Sequence, residues 1–369
     1  MTRDLNVFSA NYQQARQKFL DAARLAGAEI EHLQNTCPGV GGAGLYTDVA
    51  LLGPRDAPNL LVIMSGTHGV EGFAGSAIQT GLLAGDLASR LTADVRVVMV
   101  HALNPYGFAF LRRVNEDNVD LNRNFITDSA EAPVNDAYTR LANVIAPRSL
   151  TWTARLRVLL TISLFRLLRG HDALQEAVTQ GQYAYPDGLF FGGRAATWSN
   201  RTLHDIAARH LSRARRVIVI DCHTGLGSYG MGEVIVNDPA DAPVYRRAVS
   251  LWGKEIVKST NDGQSVSSRL TGTVKMAFER MLPESEVTAV GLEFGTEPPM
   301  QVFWALQAEN WLHHWGQENH PDAAQIKMRL LRVFYPEDQD WRRQVLEQGE
   351  RIVDQALSGL LATTSTGRG

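Results

Sequence analysis

The chain has 369 residues, of which 44% are hydrophobic and 20% charged, an ordinary globular composition with enough apolar material for a large core. Its formal net charge of -3 supplies no basic surface for phosphate backbones, so we predict no nucleic-acid partner. The two cysteines, Cys37 and Cys222, lie far apart and form no CxxC pair, which argues against a disulfide framework or a thiolate zinc site and favours a reducing, cytoplasmic compartment.

The N-terminal segment, residues 1–27, is charged and amphipathic, which predicts a surface helix and not a secretory signal. The sequence GVGGAG at Gly39–Gly44 formally matches the GxGxxG pattern of dinucleotide-binding turns, a pattern that needs a strand before it and a helix after it. Here the preceding EHLQNTCP is polar and interrupted by proline, and the following LYTDVALLG predicts a strand. We therefore predict a turn between the N-terminal helix and the first strand.

Four short runs are apolar through their length and polar only at their carboxyl ends: NLLVIMSG, VRVVMVHALN, RRVIVIDCHTG and VTAVGLEFGT. Such runs, separated by helical patterns, are typical of an α/β fold in which strands and helices alternate around a largely buried sheet. Open α/β sheets bind their ligands at the carboxyl ends of the strands. The sequence therefore predicts that its polar strand ends form one site.

The stretch SGTHGVEGFAGS, Ser65 to Ser76, joins the first of these strands to a predicted helix. His68 and Glu71 are three positions apart at this turn, where two such side chains can converge on one point. An imidazole nitrogen and a carboxylate oxygen can both bind zinc. The alternative is a solvated histidine beside a glutamate that suits the helix N-terminus. Ser76 falls inside the helix, and no GxSxG motif indicates a serine hydrolase.

The segment from Asn104 to Phe125, NPYGFAFLRRVNEDNVDLNRNF, follows the second apolar strand. It contains Arg112, Arg113, Asn122 and Arg123. Guanidinium groups bind carboxylates through paired hydrogen bonds or stabilise a developing oxyanion. A solvated basic loop would explain one arginine but explains this set less well, so we interpret the segment as part of a site.

A long stretch, about residues 126–214, has helical periodicity and few strand signals, and we predict a helical insertion that walls one side of the site. Its most apolar part, Leu156 to Leu168, is interrupted by Arg157 and Arg166 and is too short to cross a bilayer. We predict an amphipathic helix that faces the core or covers a cleft, and no membrane partner.

The third and fourth apolar runs carry two further candidates, His223 and Glu293. Asp221 and His223 follow the run that ends at Ile220, and Glu293 lies inside GLEFGT. A histidine at a strand end can simply donate a hydrogen bond to a backbone carbonyl. Because His68 and Glu71 lie at a similar strand end, we favour a metal-ligand role for His223. A carboxylate within an apolar strand needs a partner, because an unpaired buried charge is costly.

The sequence of residues 301–361 predicts C-terminal packing helices. No linker or repeat divides residues 1–369, so we predict a single domain.

In this order, HGVE, NPYG, VDLNRNF, DCHTG and GLEFGT resemble the zinc carboxypeptidase family of the M14 type. The resemblance is greatest to the bacterial DUF2817 branch, which is related to aspartoacylase and succinylglutamate desuccinylase enzymes. The motifs span roughly Leu60 to Thr296 and leave the helical insertion and the C-terminal helices unexplained.

The resemblance implies a three-layer α/β/α fold with a mixed, largely parallel central sheet, and it implies a role for each candidate residue. His68, Glu71 and His223 match the ligands of a Zn²⁺ ion whose fourth position holds water, and Asp120 matches the carboxylate that orients a ligand histidine. Glu293 matches the general base and acid. Asn122 and Arg123 match the pair that binds the substrate carboxylate. Arg113 matches the oxyanion-stabilising arginine, with the adjacent Arg112 as its rival.

Peptidases of this fold usually carry a mobile tyrosine that closes over the substrate, and enzymes of the aspartoacylase branch lack it. Tyr229 is a candidate for that residue. Two substrate classes therefore stay open: a small peptide cleaved as by a carboxypeptidase, and a small N-acyl amino acid. A non-catalytic metal- or ligand-binding protein on the same fold is a third alternative, against which Glu293 argues, since binding needs no general base. The sequence predicts no particular oligomeric state.

Overall fold

A computed structural model describes residues 4–126, 132–265, 269–316 and 320–365. Within these ranges eight strands form one sheet, and each predicted apolar run is one of them. The strands are β1 (Glu29–Gln34), β2 (Tyr46–Leu52), β3 (Asn59–Met64), β4 (Val95–His101), β5 (Arg216–Tyr229), β6 (Gly232–Val236), β7 (Val257–Ser259) and β8 (Glu286–Gly295).

Twelve α-helices lie in the described part of the chain. They are α1 (Tyr12–Leu25), α2 (Gly72–Ala84), α3 (Pro105–Ala109), α4 (Asp136–Ile145), α5 (Trp152–Arg169), α6 (His171–Thr179), α7 (Trp198–His210), α8 (Pro243–Trp252), α9 (Val274–Met281), α10 (Pro299–His314), α11 (Ala323–Phe334) and α12 (Gln339–Ser365). No helix of these residues is both long and apolar enough to cross a membrane.

The sheet has the strand order β1-β2-β4-β3-β5-β8-β6-β7. Its four central strands, β4, β3, β5 and β8, are parallel, while β1, β2 and β6 run antiparallel to their inner neighbours. Strands β3 and β4 are buried along their whole length, as continuous apolar sequences require. The predicted fold class, a mixed and largely parallel sheet between helices, is confirmed.

Alternate residues of the central strands face two different helical layers. On one face, Leu61 and Ile63 of β3 share a core with helices that include α1, α2 and α12. On the other face, Leu60 and Val62 pack in a second core with α7 and α9. This alternation follows from the two-residue period of a strand, and it leaves the strand ends free to carry polar side chains.

The turn that contains GVGGAG differs from its prediction. It joins two antiparallel strands, because Glu29–Gln34 forms β1 and pairs with β2. The polar sequence that argued against a strand suits this position, since β1 is an edge strand with one partner and none of its residues is fully buried. The dinucleotide-binding pattern still fails, because a strand and not a helix follows the glycines.

The segment predicted as a helical insertion contains α4, α5, α6 and α7. Helix α7 belongs to the layer beneath the sheet, since Leu203 and Ile206 pack in its core. It is the helix that leads the chain into β5, as parallel strands require. Helices α4 to α6 lie to one side and pack on one another. Downstream, α10, α11 and α12 occupy the region predicted as C-terminal packing helices.

Candidate metal centre

The carboxyl ends of three neighbouring strands bring the candidate residues together. His68 and Glu71 follow β3, His223 lies in β5, and Glu293 lies in β8. In the parallel pairing of β5 with β8, His223 and Glu293 stand directly opposite each other. The convergence therefore follows from strand order and register, as the rule for open α/β sheets predicts.

The turn after β3 holds His68 and Glu71 in place through its backbone. Residues Gly69–Glu71 form a single 3-10 turn, with His68 extended before it. The amide groups of Gly69 and Val70 donate to the carbonyls of Arg113 and Arg112, at 3.1 and 2.9 Å. A Cβ atom on Gly69 would lie 2.0 Å from the carbonyl carbon of Gly107, so glycine allows this close approach of two backbones.

His68, Glu71 and His223 form a compact buried donor set. Nδ1 of His68 lies 3.0 Å from Oε1 of Glu71, and Nδ1 of His223 lies 3.0 Å from Oε2 of the same carboxylate. All three residues can offer ligand atoms within 4.8 Å of one another. A tetrahedral zinc ion with bonds of about 2.0–2.1 Å holds its ligand atoms roughly 3.3 Å apart. These residues therefore fit Zn²⁺ in number, type and spacing.

Each histidine directs its other ring nitrogen toward an aspartate. Nε2 of His68 lies 3.0 Å from Oδ1 of Asp120, and Nε2 of His223 lies 2.8 Å from Oδ2 of Asp221. The second oxygen of Asp221 accepts a hydrogen bond from Thr67 Oγ1 at 2.8 Å. Carboxylates placed in this way set the ring orientation and the tautomer of a metal-binding histidine. The geometry thus leaves Nδ1 of each ring as the atom that could bind a metal ion.

The charges around the donor set favour the ionised carboxylates. Burial opposes ionisation of Glu71, but His68 and His223 outweigh it and hold the pKa of this carboxyl group well below its usual range. Burial likewise opposes ionisation of Asp120, and Arg113 and Arg123 lower its pKa well below the usual value. The pKa of His223 is raised, against the effect of burial, by Asp221 and Glu71. Glu71 and Asp120 are therefore ionised, and a carboxylate must be ionised to bind a metal ion or to orient its ligand.

Glu293 has a different environment from Glu71. Its Oε1 accepts a hydrogen bond from the amide of Leu226 at 3.0 Å, which is the contact that orients it. Burial, together with the negative charge of Glu71, raises the pKa of Glu293 to about 7. A carboxyl group with such a pKa can both accept and donate a proton near neutral pH.

The cavity that contains the donor set is also lined by Arg113, Asn122 and Arg123. Nη2 of Arg113 lies 3.3 Å from Nδ1 of His68, and its Nη1 pairs with Asp120. Nη1 of Arg123 lies 2.8 Å from Oδ2 of Asp120. The amide oxygen of Asn122 accepts a hydrogen bond from the amide of Val274 at 3.0 Å. The roles of these residues stay predictions.

Arg112 does not reach the cavity, and here the sequence-based assignment to the substrate site needs correction. Its side chain is 1% exposed and does not line the cavity, whereas that of Arg113 does. Nε of Arg112 lies 2.8 Å from Oε1 of Glu309 in α10, and Nη2 donates to Asn118 at 2.8 Å. A buried guanidinium needs a carboxylate partner. Arg112 therefore ties the loop to α10 and is not a substrate ligand.

Sequence reasoning missed much of the lining of the cavity, which has a volume of about 530 Å³. Lys275 contributes an ammonium group whose pKa is lowered by burial to about 8. The remaining wall is mostly apolar and comes from the insertion, from α10 and from the end of α11. It includes Ile162, Leu174, Val178, Phe190, Val302, Phe303, Leu306 and Phe334. No local motif indicates these residues, because helices far apart in sequence supply them.

The candidate closing tyrosine is not part of the cavity wall. Tyr229 is the last residue of β5, is 49% exposed, and does not line the cavity. Of the residues that the structure describes, no tyrosine lines this cavity. The polar lining of the candidate site is therefore made of histidines, arginines, acids, amides, hydroxyls and one lysine.

Comparison with known proteins gives distant structural similarity and one family match. A search of the curated proteins finds no match to this sequence. Among solved structures, carboxypeptidase A from Helicoverpa armigera is 13% identical with a TM-score of 0.46, and the similarity covers 89% of this chain and 75% of that one. An aspartoacylase family protein from Mesorhizobium loti is 15% identical with a TM-score of 0.40, covering 78% and 67% of the two chains.

Succinylglutamate desuccinylase from Chromobacterium violaceum is 17% identical with a TM-score of 0.36, and the similarity covers 87% of this chain and 74% of that one. The family model described as "Protein of unknown function (DUF2817)" matches residues 8–348, a range that includes every candidate site residue. The chain therefore belongs to the DUF2817 family.

Proposed function

We propose that this protein is a zinc-dependent hydrolase that cleaves an amide bond next to a free carboxylate, in the manner of a carboxypeptidase. The observation that carries the proposal is the arrangement of His68 and His223, whose Nδ1 atoms both face Glu71, while Glu293 stands opposite His223 in the adjacent strand. A metal-binding protein without catalysis would need the three ligands but not Glu293.

His68, Glu71 and His223 would hold the zinc ion. When bound in such a site, zinc lowers the pKa of water to about 7 and polarises the carbonyl group of a substrate. Asp120 and Asp221 fix the two imidazole rings by accepting hydrogen bonds from their Nε2 atoms. The chain thus supplies both the ligands and the groups that orient them.

Glu293 accepts the proton of the attacking water and passes it to the leaving amine. Its raised pKa of about 7 suits both steps, since efficient proton transfer needs a group that titrates near the working pH. The hydrogen bond from the amide of Leu226 holds the carboxylate in position. Arg113, whose Nη2 lies 3.3 Å from the ligand atom of His68, donates to the developing oxyanion.

The substrate carboxylate binds to Asn122 and Arg123 on the cavity wall. The apolar lining of the cavity takes the remainder of the substrate, a side chain or an acyl group. One observation favours the second candidate, deacylation of N-acyl amino acids: no tyrosine of the described residues lines the cavity, and the aspartoacylase branch lacks the closing tyrosine.

A substrate screen tests the proposal. Zinc-loaded protein is incubated with a panel of blocked C-terminal dipeptides and with a panel of N-acyl amino acids, and release of free amino acid is measured. We expect turnover on one panel by the wild type. Glu293→Gln should keep its zinc and lose about 10²–10⁴-fold in kcat, because general-base catalysis contributes that much.

Glu286→Gln is the matched control, because Glu286 lies at the opposite end of β8 and pairs with Arg216 at the surface. It should retain full activity. Absence of turnover on both panels by zinc-loaded wild type would contradict the proposal and favour a binding protein. Cleavage of the dipeptides alone would indicate a carboxypeptidase, and cleavage of the N-acyl amino acids alone would indicate a deacylase.

A further inference from the structure

Helix α5 exposes an unusual amount of apolar surface. Of the fifteen large hydrophobic residues that are exposed in the described chain, seven lie in this one helix, with 46% to 80% of their surface accessible: Trp152, Leu156, Leu159, Leu160, Leu164, Leu167 and Leu168. Val158 is its only buried residue. Single exposed leucines are ordinary, but a contiguous apolar patch indicates an interaction surface.

Most of these side chains form one stripe, which we call the α5 stripe: Trp152, Leu156, Leu160, Leu164 and Leu167. Their spacing of three and four residues puts them on one face of the helix. The opposite face carries Val158, Ile162 and Phe165, which pack on the protein core. Helix α5 is therefore held by one apolar face and presents a second one outward.

The charges along α5 have one sign. Arg155, Arg157, Arg166 and Arg169 are all exposed, and no aspartate or glutamate occurs from Pro147 to Gly170. At 3.6 residues per turn, Arg157 flanks the α5 stripe on one side, and Arg155 and Arg166 flank it on the other. In the described chain no carboxylate forms an ion pair with any of these four side chains.

We propose that α5 docks this protein on the surface of an anionic lipid bilayer. The helix lies flat, its leucines and Trp152 enter the boundary between headgroups and acyl chains, and the flanking arginines contact lipid phosphates. An apolar face bordered by cations is the pattern that binds such surfaces, because burial of the stripe and attraction to the anionic headgroups act together. This replaces the expectation, drawn from sequence, of no membrane partner.

The charge pattern also favours a bilayer over a second copy of the chain as the partner of the α5 stripe. Two α5 stripes packed on each other would bring two sets of arginines together without an acidic residue on either helix, and like charges at an interface are unfavourable. Anionic headgroups supply the missing countercharge. A spanning arrangement does not suit this helix, because its 18 residues include four arginines and it is not long and apolar enough to cross a membrane.

Docking of α5 has a geometric consequence for the cavity. Ile162, on the inner face of the helix, lines the cavity that contains the donor set. The bilayer surface would therefore lie about one helix diameter, roughly 10 Å, from the cavity wall. The docking itself is independent of the proposed hydrolase activity, and its test does not use turnover.

Co-sedimentation with lipid vesicles tests the proposal. The full chain is mixed with vesicles of phosphatidylcholine alone or of phosphatidylcholine with phosphatidylglycerol, at low and high salt. We expect binding to the anionic vesicles, weaker binding to neutral ones, and weakening by salt, since exposed charges are screened. The triple variant Leu160→Gln, Leu164→Gln, Leu167→Gln should bind at least about tenfold more weakly, because the apolar area of three leucines is lost.

Two further variants make the outcome specific. Leu25→Gln, at the end of α1, changes a leucine that is 89% exposed outside the α5 stripe, and it should bind like the wild type. Arg157→Gln with Arg166→Gln should lower binding to anionic vesicles and leave binding to neutral ones unchanged. Because all the substituted side chains are exposed, thermal unfolding midpoints should stay close to that of the wild type.

Sedimentation equilibrium in the absence of lipid tests the alternative in which a second copy of the chain, and not a bilayer, covers the α5 stripe. A wild type that fails to bind anionic vesicles, or a triple variant that binds them as well as the wild type, overturns the proposal. A wild-type dimer that the triple variant converts to a monomer, without vesicle binding by either, overturns it in favour of an interface between two copies of the chain.

Discussion

Nε2 of His223 lies 2.8 Å from Oδ2 of Asp221, two residues earlier on β5. Side chains two positions apart on a strand lie on the same face, so the DCH sequence supplies a histidine and the carboxylate that orients it. Asp120 has the same relationship to His68 at 3.0 Å, but it comes from a loop. The family resemblance implies the role of Asp120 but gives none to Asp221, although strand alternation alone could have indicated one.

We predict that the purified protein binds about one zinc ion per chain, as a single three-ligand site requires. His223→Ala should lose the ion. Asp221→Asn should keep the site but weaken zinc binding by about 10–100-fold, because orienting carboxylates typically contribute that much. Elemental analysis gives the stoichiometry, and competition with a chelator gives the affinity. His204→Ala, on the exposed face of α7, is the control, and equal zinc affinity in Asp221→Asn and wild type would count against the assigned role.

We predict that Gly69→Ala destabilises the protein and disrupts metal binding. The added Cβ would lie 2.0 Å from the carbonyl carbon of Gly107 and 2.3 Å from the amide nitrogen of Phe108, and neither backbone atom can move cheaply. Overpacking of this kind lowers the free energy of unfolding by about 1–3 kcal/mol or more. Urea unfolding measures it, with zinc affinity as the second readout.

Gly81→Ala, inside α2, is the matched control for that substitution. Its Cβ would lie 3.3 Å from the flexible end of the Glu350 side chain and at an ordinary contact distance of 3.9 Å from Cδ2 of Leu346, so the higher helix propensity of alanine should stabilise α2 slightly. A Gly69→Ala variant as stable as the wild type and with unchanged zinc affinity would show that the turn after β3 tolerates displacement of the two backbones.

We predict that Arg113 and Asn122 affect different kinetic constants. Arg113→Gln should lower kcat by about 10²–10³-fold, because loss of one oxyanion donor has that effect. Asn122→Ala should chiefly raise KM, because a contact made equally with bound substrate and transition state contributes to binding alone. Steady-state kinetics on the active substrate panel measures both, with zinc content checked in each variant. Arg216→Gln, at the surface end of β5, serves as control, and an Arg113→Gln variant with normal kcat would remove Arg113 from the mechanism.

We predict that the contribution of Glu309 to stability depends on pH. Burial opposes its ionisation, but Arg112 at 2.8 Å and Lys327 at 2.7 Å lower its pKa to about 2. Because the pKa in the folded state is below the unfolded value of about 4.3, the stabilisation is complete above that value and is lost as pH falls toward 2. At pH 7, Glu309→Gln leaves Arg112 buried without its countercharge and should cost about 3–5 kcal/mol.

Urea unfolding of the wild type and Glu309→Gln across this range measures the difference in free energy of unfolding. The difference should be largest above about pH 5 and should shrink below it, since protonated Glu309 and glutamine are both neutral. A difference that stays constant from neutral to acidic pH would mean that the buried pair contributes no pH-dependent stability.

Local pattern was sufficient for the central strands and for the strand-to-helix turn that carries His68 and Glu71. A short, continuous apolar run that is rich in β-branched residues and ends in a polar residue is typical of a strand in the middle of a sheet, and parallel strands bring such ends to one edge. The placement of His223 and Glu293 beside this turn follows from the same rule. Strand β1 was missed because an edge strand with an exposed face lacks the apolar pattern on which the prediction depends.

Long-range packing was needed for the rest. Arg112 and Arg113 are adjacent and chemically identical, yet the first pairs with Glu309 in α10 and the second reaches the donor set, because their partners come from distant parts of the chain. The outward stripe of α5 has the same origin: its apolar residues predict a helix, but which face the core covers depends on how that helix packs. The residue types therefore specify strands, turn and ligand chemistry, whereas the direction of each charged or apolar side chain depends on contacts between segments far apart in sequence.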